Sequence, residues 1–353
     1  MQLAYKVFDL PLRHVFTISR GSTSIQPTLI VQIEHQGEYG YGEATTNRYY
    51  NASAAEMAAA IERVRHVVES ADPHDIDRLL QELALQLHDN SFALAALDLA
   101  IHDLWAKLAG RPLYAMWGLG IDQVPQSDYT IGIDTIDNMV AKLREMPGWP
   151  VYKIKLGGQN DLAAVKALRA ETDALFRVDA NCGWTAEQAI DMSHELRPLG
   201  VEFIEQPLPA DDTAGAERLF AEAALPIIAD ESCVVEADVD RCAGRFHGIN
   251  VKLVKCGGLA PARRMIARAR ELGMQTMVGC MTESTVGISA IAQLLPLLDY
   301  VDMDGAVLLA EDIAEGVVVA QGECRFAEGP GTGAKLLGGP LPHDCRDIAT
   351  EHE

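Results

Sequence analysis

The chain has 353 residues and a formal net charge of −22, with 29 Lys and Arg against 51 Asp and Glu. That length buries a large core, enough for one barrel and a smaller domain. The charge excludes nucleic acid and anionic membrane surfaces as partners. No run of about 18 uncharged apolar residues occurs, so no spanning helix is expected. The opening residues alternate like a strand without a secretory apolar region, and seven cysteines contain no Cys-x-x-Cys pair. A cytoplasmic protein with reduced, mostly buried thiols is the expectation.

Residues 2–10 and 27–44 read as strands, the second a hairpin turning at Gln36-Gly37. Three helical stretches follow, at 53–70, 75–88 and 90–109. Ser53 with Glu56 three residues on has the spacing of a capping box. The third places Ala95, Ala96, Leu99, Ala100 and Leu104 on one face and stops at Gly110-Arg111-Pro112. Strands followed by helices without alternation predict an α+β domain over 1–122.

From about 126 the pattern becomes strict alternation. Strands are predicted at 127–132, 151–156, 175–179, 201–205, 226–230, 248–252, 275–280 and 299–303, with helices between them, among them 163–172, 186–196 and 261–272. Eight strands close a barrel, so the prediction is a (β/α)₈ barrel over 123–314. A doubly wound sheet is the main competitor, but its strand ends are strung along a line instead of converging. The glycine-rich segment 315–353, with a short strand at 316–320, is expected to return to the first domain.

Five of these strands end in charged residues at a nearly constant period: Lys155, Asp179, Glu205, Asp230 and Lys252, in steps of 24, 26, 25 and 22 residues. Alternate strand residues share a face, so Lys153 joins Lys155, Asn181 joins Asp179, and Asp304 joins Asp302. Burying such charges without partners is costly, and barrel strand ends are where function sits. Three carboxylates with no thiolate, and ten histidines with no His-x-x-x-His spacing, suit a hard divalent ion such as Mg²⁺. With lysines beside it, the set suits removal of a proton from carbon next to a carboxylate, through an enediolate. The base must be a neutral amine, so its pKa is expected to be lowered, with Lys153 supplying part of the push on Lys155. A base on each side of one carbon performs 1,1-proton transfer, which racemises or epimerises it.

Lys153-Ile-Lys155, Asp179-Ala-Asn-Cys-Gly-Trp184, Glu205-Gln-Pro207, Asp230-Glu-Ser232, Asn250-Val-Lys252 and Lys255-Cys-Gly-Gly258 together resemble the enolase superfamily, muconate-lactonising subgroup. The likeness runs from the N-terminal hairpin to about residue 330. It implies one Mg²⁺ held by Asp179, Glu205 and Asp230, Lys155 and Lys252 as acid/base catalysts, and a first domain whose loops cap the barrel. Asp302-Met-Asp304 resembles the Asp-x-Asp element with which dipeptide epimerases receive a free α-ammonium, and an ammonium with three donors wants anionic acceptors. Lys153, Thr130, Cys280 and Thr282 then line the dipeptide site, and Phe16–Thr23 resembles the first capping loop of Ala-Glu epimerases. Some of those enzymes carry a basic residue where this chain has Thr23, leaving Arg20 and Arg48 to replace it.

The function expected is epimerisation of a dipeptide at its C-terminal residue, with L-Ala-D/L-Glu as leading substrate and a homo-oligomer as the form. N-acylamino-acid racemase, o-succinylbenzoate synthase and cycloisomerase are the alternatives. A barrel that only binds a small acid needs no paired bases.

Overall fold

The computed structural model describes residues 1–348. Its first sheet is a meander of β1 (Gln2–Ile18), β2 (Gly21–His35) and β3 (Glu38–Thr45). The second turn falls at Gln36-Gly37, both with positive φ (53° and 84°), the backbone that a two-residue hairpin turn demands. The first hairpin is far longer than its apolar pattern predicts. β1 and β2 stay paired out to Ile18 and Gly21, across a register break between Pro11 and Phe16. Residues 11–26 carry polar or exposed side chains on both faces, so period-2 burial is lost there although pairing continues. This outer half crosses onto the barrel. Ile133 N–H donates to the Thr17 carbonyl at 2.9 Å and Ala310 N–H to that of Pro11 at 2.8 Å.

Three helices follow: α1 (Ala54–Ser70), α2 (Ile76–Gln86) and α3 (Ser91–Leu108). Ser53 and Glu56 make both bonds of the capping box, and Asn90 caps α3 by accepting from Ala93 N–H. α3 is buried on nearly every side because it lies between the sheet and the barrel. On the sheet side Gly40 and Gly42 let the backbones meet. A Cβ on Gly42 would run into the Ala96 carbonyl oxygen, and one on Gly40 into that of Ala100. On the barrel side, buried Asp98 accepts from Leu259 N–H at 2.6 Å, at the start of the barrel helix Leu259–Glu271.

The barrel strands are β4 (Tyr129–Ile131), β5 (Val151–Lys155), β6 (Leu175–Asp179), β7 (Val201–Glu205), β8 (Ile227–Ala229), β9 (Gly248–Val251), β10 (Gln275–Gly279) and β11 (Tyr300–Asp302). All are parallel and neighbour one another in chain order. The Ser127–Val301 bridge brings the two ends together. Every predicted strand is present, most of them trimmed by one or two residues. The helix read at 186–196 is found over Ala186–Leu196, Thr185 completing its capping box.

Inside the barrel, Phe203, Ile228 and Met277 form a small apolar plug with Tyr300 against it. Buried Arg177 spans the space beside it, pairing with Asp128 and Glu202, each at 2.9 Å. The interior is therefore filled, and side chains at the C-terminal strand ends stand on a closed floor.

After β11 the chain runs back along the first sheet. Arg346–Asp347 pairs in parallel with β1, and Gln32 exchanges two hydrogen bonds with the backbone of Leu341. The short strand expected at 316–320 is found at Val318–Ala320. Among the described residues no helix is long and apolar enough to cross a membrane.

Candidate active site

Each of the five charged strand ends reaches the same place. Carboxylate oxygens of Asp179, Glu205 and Asp230 lie within 4.8 Å of one another, and all three residues are buried. They come from the ends of β6, β7 and β8, so neighbouring strands 4.7–4.9 Å apart by ordinary sheet spacing supply the clustering. Lys155 Nζ sits 2.7 Å from Asp179 on one side, and Lys252 Nζ sits 3.0 Å from Asp230 on the other. β5 and β9 are four strands apart in a ring of eight, so the two lysines approach from opposite walls.

The surrounding polar groups fix the carboxylates. Lys255 donates to Asp230 Oδ1 and to the Asp230 carbonyl, both at 2.6 Å. Asn250 donates to Glu205 Oε1 at 2.7 Å, and Asn181 to Asp179 Oδ2 at 3.1 Å. Gln206 accepts from the N–H groups of Asp230 and Ser232. Glu205 Oε2 is left without a hydrogen bond, although Lys153 Nζ lies 2.7 Å away out of bonding alignment. Three buried carboxylates that converge, with no thiolate or imidazole among them, fit a hard divalent cation.

Lys153 is fully enclosed. Its ammonium is shared between Asp302 at 2.6 Å and Glu205 at 2.7 Å, with Asp179 at 3.6 Å. Lys153, expected to line the substrate site, is not among the residues that line the cavity above it; its ammonium faces these carboxylates. Burial works against its charge, but Asp302, Glu205 and Asp179 outweigh it and hold the lysine well above its ordinary pKa. Lys252 behaves alike: burial lowers it, and Asp230 and Glu205 raise it by more. This differs from the lowering expected of a lysine base. A divalent cation held by the three carboxylates would offset most of the negative charge that favours the ammonium. Burial raises Asp230, but Lys252 and Lys255 pull it well below the usual range. Glu205 is pushed up to about 7, first by burial.

Asp302 and Asp304 each have one oxygen engaged by the protein. Asp302 Oδ2 takes Lys153, and Asp304 Oδ2 takes the Thr130 N–H at 2.6 Å. Their Oδ1 atoms are each 4.0 Å from Cys280 Sγ, a weak donor at long range. Asp304 makes no side-chain cap on the turn Gly305–Leu308 that follows it. Asp302 is held at about 2, burial being outweighed by Lys153 and Lys155. Asp304 is raised to about 7 by burial and by Asp302.

A cavity of about 740 Å³ opens above these groups. Lys155, Lys252, Thr130, Cys280, Asp302 and Asp304 line its barrel side, with Thr282 on the same wall. The cap side is the tip of the first hairpin, from Phe16 to Thr23, and the loop 46–50 after β3. Arg20 is there, but its guanidinium pairs with Glu231 Oε1 at 2.7 Å and donates to the Asn181 carbonyl at 3.1 Å. Sequence reasoning did not single out Glu231, the residue directly after Asp230; a second acid beside a metal-ligand candidate was the available signal. Lys255 was visible only as part of a motif.

The family model described as "Enolase C-terminal domain-like" matches residues 136–338. The "Mandelate racemase / muconate lactonizing enzyme, N-terminal domain" model matches residues 4–118. An L-Ala-D/L-amino acid epimerase of Flavobacterium johnsoniae is 52% identical over 337 residues, 96% of this chain and 100% of that protein. The substrate-liganded L-Ala-D/L-Glu epimerase of Bacillus subtilis superposes with a TM-score of 0.91 at 27% identity, over 97% of this chain and 99% of that one. A dipeptide epimerase of Cytophaga hutchinsonii, complexed with Mg and D-Ala-L-Val, gives 0.89 at 27% identity over 95% of each chain. With both halves of the chain matched and its barrel and acid–lysine ring in place, the protein belongs to the mandelate racemase / muconate lactonizing enzyme family of the enolase superfamily.

Proposed function

We propose that the chain is a Mg²⁺-dependent dipeptide epimerase that inverts the α-carbon of the C-terminal residue by 1,1-proton transfer. Asp179, Glu205 and Asp230 would hold the ion, which would supply positive charge against the charge that develops on the substrate carboxylate as the α-proton leaves. Lys155 takes the proton from one face and Lys252 returns one to the other, or the reverse for the opposite epimer. Lys255, Asn250 and Asn181 keep the carboxylates oriented, and Lys153 ties Glu205 to Asp302.

The observation that carries the dipeptide reading is the pair of Oδ1 atoms on Asp302 and Asp304, left over once Lys153 and the Thr130 N–H have taken the other two. Two adjacent carboxyl groups lining the cavity suit a free α-ammonium, whose charge favours their ionised form, and they disfavour the purely anionic substrates of cycloisomerases. The F. johnsoniae relative and the two neighbouring structures carry names of the same activity class. Incubating the enzyme with Mg²⁺ in ²H₂O, with free dipeptides in one set and N-acyl amino acids in another, tests the reading. Deuterium at the α-carbon of the C-terminal residue of dipeptides is expected. Faster exchange into N-acyl amino acids would assign the chain to the racemases instead.

A further inference from the structure

Asp302 and Asp304 share their wall of the cavity with a thiol. Cys280 directly follows β10, and its N–H donates to the Asp302 carbonyl at 2.8 Å. Its Sγ lies 4.0 Å from Asp302 Oδ1 and 4.0 Å from Asp304 Oδ1, and all three residues are buried. Lys153 and the Thr130 N–H hold the two Oδ2 atoms, each at 2.6 Å. One sulfur and two oxygens are thus fixed in place on a wall of the cavity. A tetrahedral zinc ion, with Zn–S of about 2.3 Å and Zn–O of about 2.0 Å, holds sulfur and oxygen about 3.5 Å apart. Each pair, at 4.0 Å, is about 0.5 Å from that spacing. The cavity leaves room for water at the fourth position.

We propose that Cys280, Asp302 and Asp304 form a second cation site, selective for zinc-class ions, whose filling excludes the α-ammonium of a dipeptide. The proposal rests on the epimerase reading and adds a means of inhibiting it. Donor chemistry separates the two metals. Asp179, Glu205 and Asp230 offer oxygen alone and suit Mg²⁺, whereas a thiolate favours a softer ion. Without an ion, burial, Asp302 and Asp304 keep the Cys280 thiol protonated. Zinc binding exchanges that proton for a Zn–S bond and releases it to solvent. Ion and substrate ammonium then compete for the same two Oδ1 atoms.

The test uses the full chain with saturating Mg²⁺ and Cd²⁺ as the optical probe, since cadmium–thiolate pairs absorb in the ultraviolet and oxygen-only sites do not. Cd²⁺ should give a charge-transfer band that saturates at a single equivalent and that Zn²⁺ abolishes. Cys280→Ser should lose the band. Cys182→Ser, which removes the other thiol that feels Asp230 and Asp179, should keep it. A saturating dipeptide should suppress the band in the wild type, which decides the matter even if Cys280→Ser does not fold. In turnover, Zn²⁺ should inhibit competitively against the dipeptide, without relief from added Mg²⁺. Cys280→Ser should need about tenfold more Zn²⁺ or greater for half-inhibition of its own rate, because losing a ligand costs no less than losing a supporting contact. No band in the wild type, a band surviving in Cys280→Ser, or one that a turned-over dipeptide leaves intact overturns the proposal. So does inhibition that Mg²⁺ reverses, which would place the ion at the carboxylate triad. If no dipeptide exchanges its α-proton, the epimerase reading falls, while the band and its loss in Cys280→Ser still decide the site.

Discussion

Asp304 shows how one side chain does two things with its two oxygens. Oδ2 is fixed by the Thr130 N–H, which leaves Oδ1 beside that of Asp302. Asp304→Ala should lower kcat/KM for a free dipeptide by about 10- to 150-fold, the worth of a charge-assisted hydrogen bond of roughly 1.5–3 kcal/mol. N-acetylation of the dipeptide should cost the wild type at least as much and the variant much less, which steady-state kinetics on both substrates will show. At this scale the sequence was informative where chemistry is periodic. Asp179, Glu205, Asp230, Lys155 and Lys252 were legible because barrel strands repeat and their last residues converge. Lys153 was legible as a buried cation but not in its partners, since Asp302 lies 149 residues away. The Arg20–Glu231 pair went unread because Arg20 is carried in by a hairpin tip whose length no burial pattern announces.

At the scale of elements, one contact packs the cap together and another ties it to the barrel. Gly42 on β3 lies against the α3 backbone with no room for a Cβ. Gly42→Ala should destabilise the fold by about 1–3 kcal/mol through overpacking, read as a lower urea midpoint with little change in slope. β3 also carries buried Glu43, which accepts from Ser284 N–H, Ser284 Oγ and Gly287 N–H at the start of the barrel helix Thr285–Ala292. Glu283 lies beside it, and burial followed by Glu43 raises Glu283 to about 8. A raised carboxyl contributes stability below its unfolded pKa of about 4.3, and that contribution is lost as pH climbs through the folded value. Wild-type Tm should therefore fall between about pH 5 and 8 by more than that of Glu283→Gln, in scans of both proteins in matched buffers. The capping box at Ser53 and the turn at Gln36-Gly37 were plain in the sequence because each is a local rule. The Glu43–Ser284 contact was not, because it joins residues 241 apart.

At the scale of the whole molecule, the fold gathers buried charges of both signs at one end of the barrel. Three carboxylates meet two lysines across the mouth of a filled barrel, and, against burial, Asp230 and Glu205 hold Lys252 above its ordinary pKa. Mg²⁺ should stabilise the fold by about 2.7 kcal/mol at a hundredfold excess over its Kd, seen as a rise in Tm. Chelation should abolish turnover, and Glu205→Gln should lose most of the Tm rise.

Whether two bases face one α-carbon is read out by site-specific hydrogen exchange. Each epimer of an L-Ala dipeptide is incubated separately in ²H₂O with wild type, Lys155→Ala and Lys252→Ala, and α-deuterium and configuration are followed by NMR. The wild type should deuterate and interconvert both epimers. Each single variant should lose epimerisation, and any exchange it retains should be confined to one epimer, the opposite one in the two variants. Continued epimerisation by Lys252→Ala, or exchange of the same epimer in both variants, would contradict the account.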